Sequence, residues 1–136
     1  MGPMPETVVE VFADIVCPFT HVGLQRLVER RHQVGRDDVK LLVRALPLEV
    51  INGAPMEPGP VSDKVAALRD QVSPTLFAGF DPARFPSTSL PALALTNAAY
   101  RRGLCTGEAV ALQLRRLVFD EGVDVSDLGV LADLAR

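Results

Sequence analysis

The sequence predicts an α/β fold that begins with a strand–helix–strand unit and continues as helices. Residues 8–16 and 39–46 are rich in β-branched and aliphatic side chains, as buried strands are. Between them, residues 18–33 carry apolar side chains at helical spacing. Strand, helix and strand in this order indicate a βαβ unit, which we expect to be parallel and right-handed.

The composition indicates one globular domain. The chain has 136 residues, of which 48% are hydrophobic, so it can bury a core of its own. Its net charge of −3 argues against nucleic acid as a partner, because phosphate binding needs a basic patch. We interpret the basic clusters at residues 30–32, 101–102 and 115–116 as solvated faces and ends of helices.

The N-terminal sequence and the cysteine content bear on where in the cell the protein is located. The first residues lack the leading positive charge and apolar segment of a signal peptide. No apolar run has the length of a membrane span, so we expect no membrane partner. These features predict a cytoplasmic protein. In the cytoplasm, the two distant cysteines Cys17 and Cys105 are expected to be free thiols.

The first helix has recognisable ends. Pro18 is favoured at the first helical position, because proline has no amide hydrogen to leave unpaired. Leu24, Leu27 and Val28 form the apolar stripe of this helix, and Gly35 is expected to end it. The core of the strand before it, residues 9–13, is apolar apart from Glu10, which favours a buried parallel strand. Residues 14–17 are expected to form the turn between the strand and the helix.

The rest of the chain is predicted to be irregular at first and then helical. Residues 47–61 contain four prolines and two glycines, which predicts an extended loop. A short helix is expected at 63–72, capped by Ser62 and Asp63. An irregular stretch at 73–89 follows. Apolar periodicity then predicts three helices, at about 89–102, at about 107–121 and from residue 126 or 127 onward.

The predicted sheet is unfinished. Two parallel strands do not form a stable sheet alone, and the chain ends at Arg136 directly after an apolar-faced helix. We therefore expect the chain to be part of a longer protein that supplies further strands. An open sheet edge and apolar helix faces also invite pairing with a second chain, so a homodimer is predicted as well.

Cys17 is the residue with the clearest chemical potential. It is expected at the N-cap of the first helix, where free backbone N–H groups and the helix dipole favour a thiolate. Thr20, one turn further on, is placed to donate its hydroxyl to the sulfur. The alternative interpretation of Cys17 is a buried cysteine packed as a small hydrophobic side chain.

The neighbours of Cys17 have functional and structural interpretations. His21, four residues further on, would form an ion pair with the thiolate or line the rim of the site. Asp14 would relay a proton or form the turn before the helix. Phe19 would shield the sulfur and offer a contact surface, or it would pack in the core. Cys17 and His21 lack two further ligands in a metal-binding pattern, so no metal site is expected.

Residues 14–23 (DIVCPFTHVG) resemble the DsbA-like branch of the thioredoxin superfamily, in particular the FrnE-type proteins. Those proteins carry a Cys-Pro-Trp-Cys-type motif after the first strand. Three further segments are similar to the same family: residues 46–55 (LPLEVINGAP), 85–88 (FPST) and 119–127 (FDEGVDVSD). Together they extend the resemblance over nearly the whole chain.

This resemblance implies a thioredoxin-like fold with a helical insertion, with the C-terminal strands missing. Residues 1–136 would form one DsbA-type domain, truncated relative to the family. Its βαβ half with the active-site motif would span residues 6–46, and a loop with the helical insertion would span 47–136. In that family the final strands follow the insertion, and a cis-proline before one of them faces the active-site cysteine. None of the prolines in this sequence can be assigned that role.

The resemblance also implies a function in thiol–disulfide exchange. Thr20 stands where the family has its second cysteine, and a dithiol needs both sulfurs to take up or release a disulfide internally. Cys17 and Thr20, with Asp14, Pro18, Phe19 and His21 around them, would then form a monothiol or weakly active site. Its partner would be a thiol or disulfide substrate, with glutathione as a co-substrate and no bound cofactor.

Two other functions stay open. The chain would be a redox-inactive binding module if it had kept the fold and lost the redox pair. It would be a glutathione-dependent isomerase or transferase if it acted like relatives in the same superfamily. Those relatives, the kappa-class glutathione transferases and the 2-hydroxychromene-2-carboxylate isomerases, have Ser-Pro in place of Cys17-Pro18. They hold a glutathione thiolate at a helix N-terminus.

Overall fold

A computed structural model describes residues 6–136 and contains two strands and six α-helices in that range. The elements are β1 (Thr7–Ala13), α1 (Pro18–Gln33), β2 (Val39–Ala45), α2 (Leu48–Ile51), α3 (Pro58–Gln71), a 3₁₀ turn (Pro82–Arg84), α4 (Leu90–Arg102), α5 (Leu104–Phe119) and α6 (Leu128–Leu134). This order confirms the predicted α/β class, with a two-strand sheet followed by helices.

The strand–helix–strand unit forms as predicted. β1 and β2 pair in parallel, from Thr7 opposite Val39 to Ala13 opposite Ala45. One face of this sheet packs against α1 and α5 in a cluster of buried residues: Ala13, Leu24, Leu41, Val43, Ala111 and Leu112. Because Ala13 is the last residue of β1, the loop from β1 to α1 begins next to α5.

A second core cluster joins the helices to that loop. It contains Ile15 from the loop and buried side chains from α1, α3, α4, α5 and α6. Its larger members are Ile15, Leu68, Phe77, Leu93, Leu114, Phe119 and Leu131. Burial of aliphatic and aromatic side chains on this scale contributes about 1.5–3 kcal/mol for each fully buried side chain. The loop before Cys17 is thus held between two packed clusters.

Side chains cover the outer edge of β2. The Tyr100 hydroxyl accepts a hydrogen bond from the Val43 N–H (2.9 Å) and donates one to the Leu41 carbonyl (2.8 Å). The Glu108 carboxylate accepts from the Leu41 N–H (2.8 Å). These bonds satisfy backbone groups that a further strand would otherwise use, so this edge is closed to strand pairing. The other edge of the sheet belongs to β1.

Several predicted boundaries are wrong. β1 ends at Ala13, directly before the predicted turn at 14–17, but the predicted loop at 47–61 contains the short helix α2. α3 begins at Pro58 rather than at 63, with Glu57 at its N-cap, because proline fits the first turn of a helix. The start of α6 is confirmed: the Asp127 carboxylate accepts from the Gly129 N–H at 2.7 Å.

The interpretation of Arg31 as part of a solvated helix end is also wrong. Its side chain is largely buried and forms an ion pair with the buried Glu108, which begins the second turn of α5. One guanidinium nitrogen of Arg31 also donates to the Val39 carbonyl at 2.9 Å. This pair joins the last turn of α1 to the first turns of α5.

Of the helices in residues 6–136, none is long and apolar enough to cross a membrane.

Candidate functional site

Cys17 lies at the N-cap of α1, as predicted, in extended backbone conformation (φ −100°, ψ 113°). Its side chain is half-buried and its thiol is free. The His21 N–H bonds the Cys17 carbonyl at 3.3 Å, and Pro18 has no N–H. The N–H groups of Phe19 and Thr20 therefore have no acceptor within the helix. The Cys17 side chain makes no capping hydrogen bond, so these donors remain available at the start of α1.

The Thr20 hydroxyl does not bond the sulfur. It donates to the Cys17 carbonyl at 3.0 Å, and the Asp14 carbonyl lies 3.4 Å away. This differs from the expected donation to the thiol, because the carbonyl three residues earlier is a stronger acceptor than a thiol sulfur. Thr20 thus holds the first turn of α1 against the preceding loop.

The Asp14 carboxylate is buried and organises that loop. One oxygen accepts from the Ile15 N–H at 2.6 Å, and the other accepts from the Leu48 N–H at 2.8 Å. The first bond fits the predicted turn-forming role. The second joins the loop before Cys17 to the start of α2, which local sequence patterns did not predict.

Pro18 and Phe19 point in different directions from the start of α1. Pro18 is buried at the first helical position, as its ring requires. Phe19 is 51% exposed, so the interpretation of this side chain as core is wrong. Two residues after the half-buried Cys17, an exposed aromatic ring offers an apolar contact surface for a partner molecule.

His21 is buried and turned towards α5. Its Nε2 lies 3.1 Å from a carboxylate oxygen of Asp120, and its ring stacks on Phe119 with centroids 5.7 Å apart. Burial lowers the pKa of His21 below its ordinary value of 6.5, and the charge of Asp120 opposes this shift. The hydrogen bond that the structure gives to His21 is thus with Asp120 rather than with the Cys17 thiolate.

Arg115 is a site residue that the sequence analysis misassigned. It is fully buried rather than solvated, and it donates to the Asp14 carbonyl at 3.2 Å and to the Ala111 carbonyl at 2.7 Å. Burial lowers the pKa of Arg115 to about 10, and the negative charge of Asp14 opposes this shift most. The guanidinium remains charged at neutral pH. Its position four residues after Ala111, on the apolar face of α5, was the available signal.

Glu49 brings together two of the segments that carry the family resemblance. Its carboxylate accepts from the Thr88 hydroxyl at 2.8 Å and from the Ser89 N–H at 2.7 Å, just before α4. Burial acts to raise the pKa of Glu49, but the hydrogen bonds from Ser89 and Thr88 outweigh it and hold that pKa below its ordinary value. This contact fixes α2 against the start of α4 and so supports the loop that carries Asp14.

Cys105 is far from Cys17. It lies one turn before Glu108, which is paired with Arg31 in the last turn of α1. Cys17 is at the opposite end of α1, so the two thiols are roughly 20 Å apart at a rise of about 1.5 Å per residue. A disulfide needs Cα atoms within about 7 Å, so Cys17 and Cys105 cannot form one in this structure.

Within residues 6–136, no cluster of three metal-ligating side chains is present.

Comparisons with known proteins agree with the architecture. The chain resembles the solved structure of a 2-hydroxychromene-2-carboxylate isomerase, with a TM-score of 0.57 and 15% identity. The match covers 95% of this chain but 66% of that chain, so this sequence spans just under two thirds of the isomerase's length. A search of curated proteins found no match.

The family follows from the sequence match. A family model for the DSBA-like thioredoxin domain matches residues 8–136, which include Cys17, the helices α1 to α6 and β1 apart from Thr7. The predicted thioredoxin-like fold with a helical insertion is confirmed by this match and by the shared fold of the isomerase. The chain belongs to the family of DSBA-like thioredoxin domains.

Proposed function

We propose that this chain carries a monothiol site for thiol–disulfide exchange, with Cys17 as its nucleophile and glutathione as its co-substrate. The observation that carries the proposal is the position of Cys17 at the N-cap of α1, on the loop that leaves a parallel strand. At this position the unpaired N–H groups of the first turn and the helix dipole stabilise a thiolate.

The reaction is a direct exchange between sulfur atoms. The Cys17 thiolate attacks the glutathione sulfur of a mixed disulfide between glutathione and a substrate thiol, that S–S bond breaks, and a Cys17–glutathione disulfide forms. The departing substrate thiolate takes a proton from solvent. Reduced glutathione then gives up its thiol proton and attacks the adduct, which regenerates the Cys17 thiolate and releases oxidised glutathione. Each step exchanges one disulfide for another, so no external oxidant is needed.

Two features favour a monothiol cycle over a dithiol cycle. The Thr20 hydroxyl stands one turn after Cys17 and donates to a backbone carbonyl, and it has no sulfur to form a disulfide. Cys105 lies at the other end of α1, beyond the reach of a Cys17 disulfide. The mixed disulfide on Cys17 must therefore be resolved by a thiol from another molecule.

The surroundings of Cys17 favour a partner that is both apolar and anionic. The exposed Phe19 ring supplies an apolar contact. The buried Arg115, which is tied to the Asp14 carbonyl, supplies positive charge behind the loop. Glutathione carries carboxylates on both residues that flank its cysteine, so its negative charge suits such a site.

Turnover by single-thiol variants tests this proposal. Removal of glutathione from a glutathionylated peptide is measured with reduced glutathione as the second substrate. We expect Cys105→Ser to keep the activity of the unaltered chain and Cys17→Ser to have none. Activity in Cys17→Ser, or loss of activity in Cys105→Ser with the fold intact by circular dichroism, would contradict the proposal.

A glutathione-dependent isomerase is the second candidate. Its support is the fold shared with 2-hydroxychromene-2-carboxylate isomerase. In that case the N–H groups at the start of α1 would hold the thiolate of bound glutathione, and Cys17 would not form a bond to it. Saturable binding of reduced glutathione to Cys17→Ser, measured by calorimetry, would favour this candidate. A chain that neither exchanges disulfides nor binds glutathione would instead be a binding module.

A further inference from the structure

A groove of about 460 Å³ lies between the C-terminal halves of the two strands and α4. Phe12 and Leu42 from the sheet and Leu93 from α4 give it apolar walls, and Ala94 is exposed at its rim. Arg115 lines it from beneath. Cys17 is not among the residues that line this groove. Arg115 is shared, because it also donates to the Asp14 carbonyl in the loop before Cys17.

The charge of Arg115 lacks a direct counter-charge. Its side chain donates to two backbone carbonyls, and its Nε has no hydrogen-bond partner among residues 6–136. In the part of the chain that the structure describes, no carboxylate lies within ion-pair distance of it. The Asp14 carboxylate is near, but its oxygens accept from the Ile15 and Leu48 N–H groups instead. A buried charge in this state is costly unless an anion compensates it.

The lining of the groove fits an anion with an apolar body. Its charged members are Arg115 and Arg44, and it contains no aspartate or glutamate. Arg44 is partly occupied by its ion pair with Glu10 (3.0 Å), so Arg115 carries most of the unbalanced charge. Attraction to that charge acts through the protein interior, where it is stronger than in water. The volume lies within the range of small-molecule sites.

We propose that this groove binds a small organic carboxylate, with its apolar body against Phe12, Leu42 and Leu93 and its charge directed towards Arg115. The carboxylate adds a counter-charge to that of the nearby Asp14, whose oxygens accept from backbone N–H groups instead of from Arg115. The apolar walls make the groove select an organic carboxylate over inorganic anions, because an inorganic anion has no apolar surface to bury against those side chains.

Titrations with a matched pair of ligands test both parts of the proposal. Benzoate and its neutral isostere benzamide are added to the full chain, and backbone amide shifts are followed by NMR. We expect saturable shifts at Leu42 and Ala94 with benzoate, and binding at least ten times weaker with benzamide. Inorganic phosphate is the third arm, and we expect it not to displace benzoate at equal concentration.

Two substitutions on α4 provide the structural control. Ala94→Trp should fill the groove and abolish benzoate binding, whereas Ala98→Trp, one turn further and exposed outside the groove, should leave it unchanged. Both sites are exposed, so both variants are expected to fold. Absence of saturable shifts with benzoate, equal affinity for benzamide, displacement by phosphate, or benzoate binding unchanged in Ala94→Trp would each overturn the proposal.

Discussion

Asp14 and Leu48 are joined by a hydrogen bond of 2.8 Å, in which the Leu48 N–H donates to the buried Asp14 carboxylate. The bond connects the loop before Cys17 to the first residue of α2. The other Asp14 carboxylate oxygen accepts a hydrogen bond from the Ile15 N–H. One side chain therefore stabilises both the turn before Cys17 and the contact of that turn with α2. The geometry of the thiol site therefore depends on a residue three positions before the thiol.

Asp14→Asn should destabilise the protein. An amide group has one acceptor oxygen, so either the Ile15 or the Leu48 N–H would face an amide donor and remain unpaired. We expect a loss of about 1–3 kcal/mol, the usual cost of an unsatisfied buried group. Urea unfolding measures this loss. Asp37→Asn, whose carboxylate is 72% exposed, is the matched control and should change stability little. Equal stability of Asp14→Asn and the unaltered chain would refute the organising role of Asp14.

Gly79 packs directly against the backbone at the end of α5. A Cβ at this position would lie 2.0 Å from the Asp120 carbonyl oxygen, too close for any side chain. Gly79→Ala must displace the Asp120 backbone, and we expect a loss of about 1–3 kcal/mol. At Gly59, in the first turn of α3, an added Cβ would meet no atom within 4 Å. Gly59→Ala should therefore be neutral or stabilise by about 0.5–1 kcal/mol. Thermal unfolding of both variants compares them, and similar losses in the two would contradict the packing at Gly79.

Stability should fall as the pH decreases below about 6.5, the ordinary pKa of histidine. Burial lowers the pKa of His21 in the folded state. Between the folded and the ordinary pKa the unfolded chain binds more protons, so protonation favours unfolding. The stabilisation is fully present above the ordinary pKa and is lost as the pH falls towards the folded pKa. Urea unfolding from pH 7.5 to 5.5 measures the slope.

Two variants separate His21 from the other titrating groups. His21→Gln keeps a donor for Asp120 but does not titrate in this range, so its stability should vary less with pH. His32→Gln, at an exposed position, should retain the slope of the unaltered chain. If His21→Gln has the same slope as the unaltered chain, burial of His21 does not govern this pH dependence.

The sequence predicted the parts of the fold that local patterns encode. The β-branched residues of β1 and β2 and the proline at the start of α1 were sufficient for the βαβ unit and for Cys17 at its N-cap. The start of α3 was predicted too late, because Pro58 lies in a proline-rich stretch and proline fits both a loop and the first turn of a helix. The residues that the sequence analysis missed act over long distances: Glu49 on Ser89, and Arg115 on Asp14. Arg115 was interpreted as solvated, and helical periodicity alone could not say what its side chain contacts. The homodimer and the cytoplasmic location remain predictions.

The relative reactivity of the two thiols of this chain tests the central claim most directly. The protein is incubated with oxidised glutathione at pH 7, the reaction is stopped by acid at intervals, and peptide mass spectrometry follows adducts on Cys17 and Cys105. Exposure alone would favour Cys105, which is exposed while Cys17 is half-buried. Activation by the N-terminus of α1 predicts the reverse, with Cys17 modified at least ten times faster. A faster reaction at Cys105, or no adduct on Cys17, would contradict the assignment of Cys17 as the nucleophile.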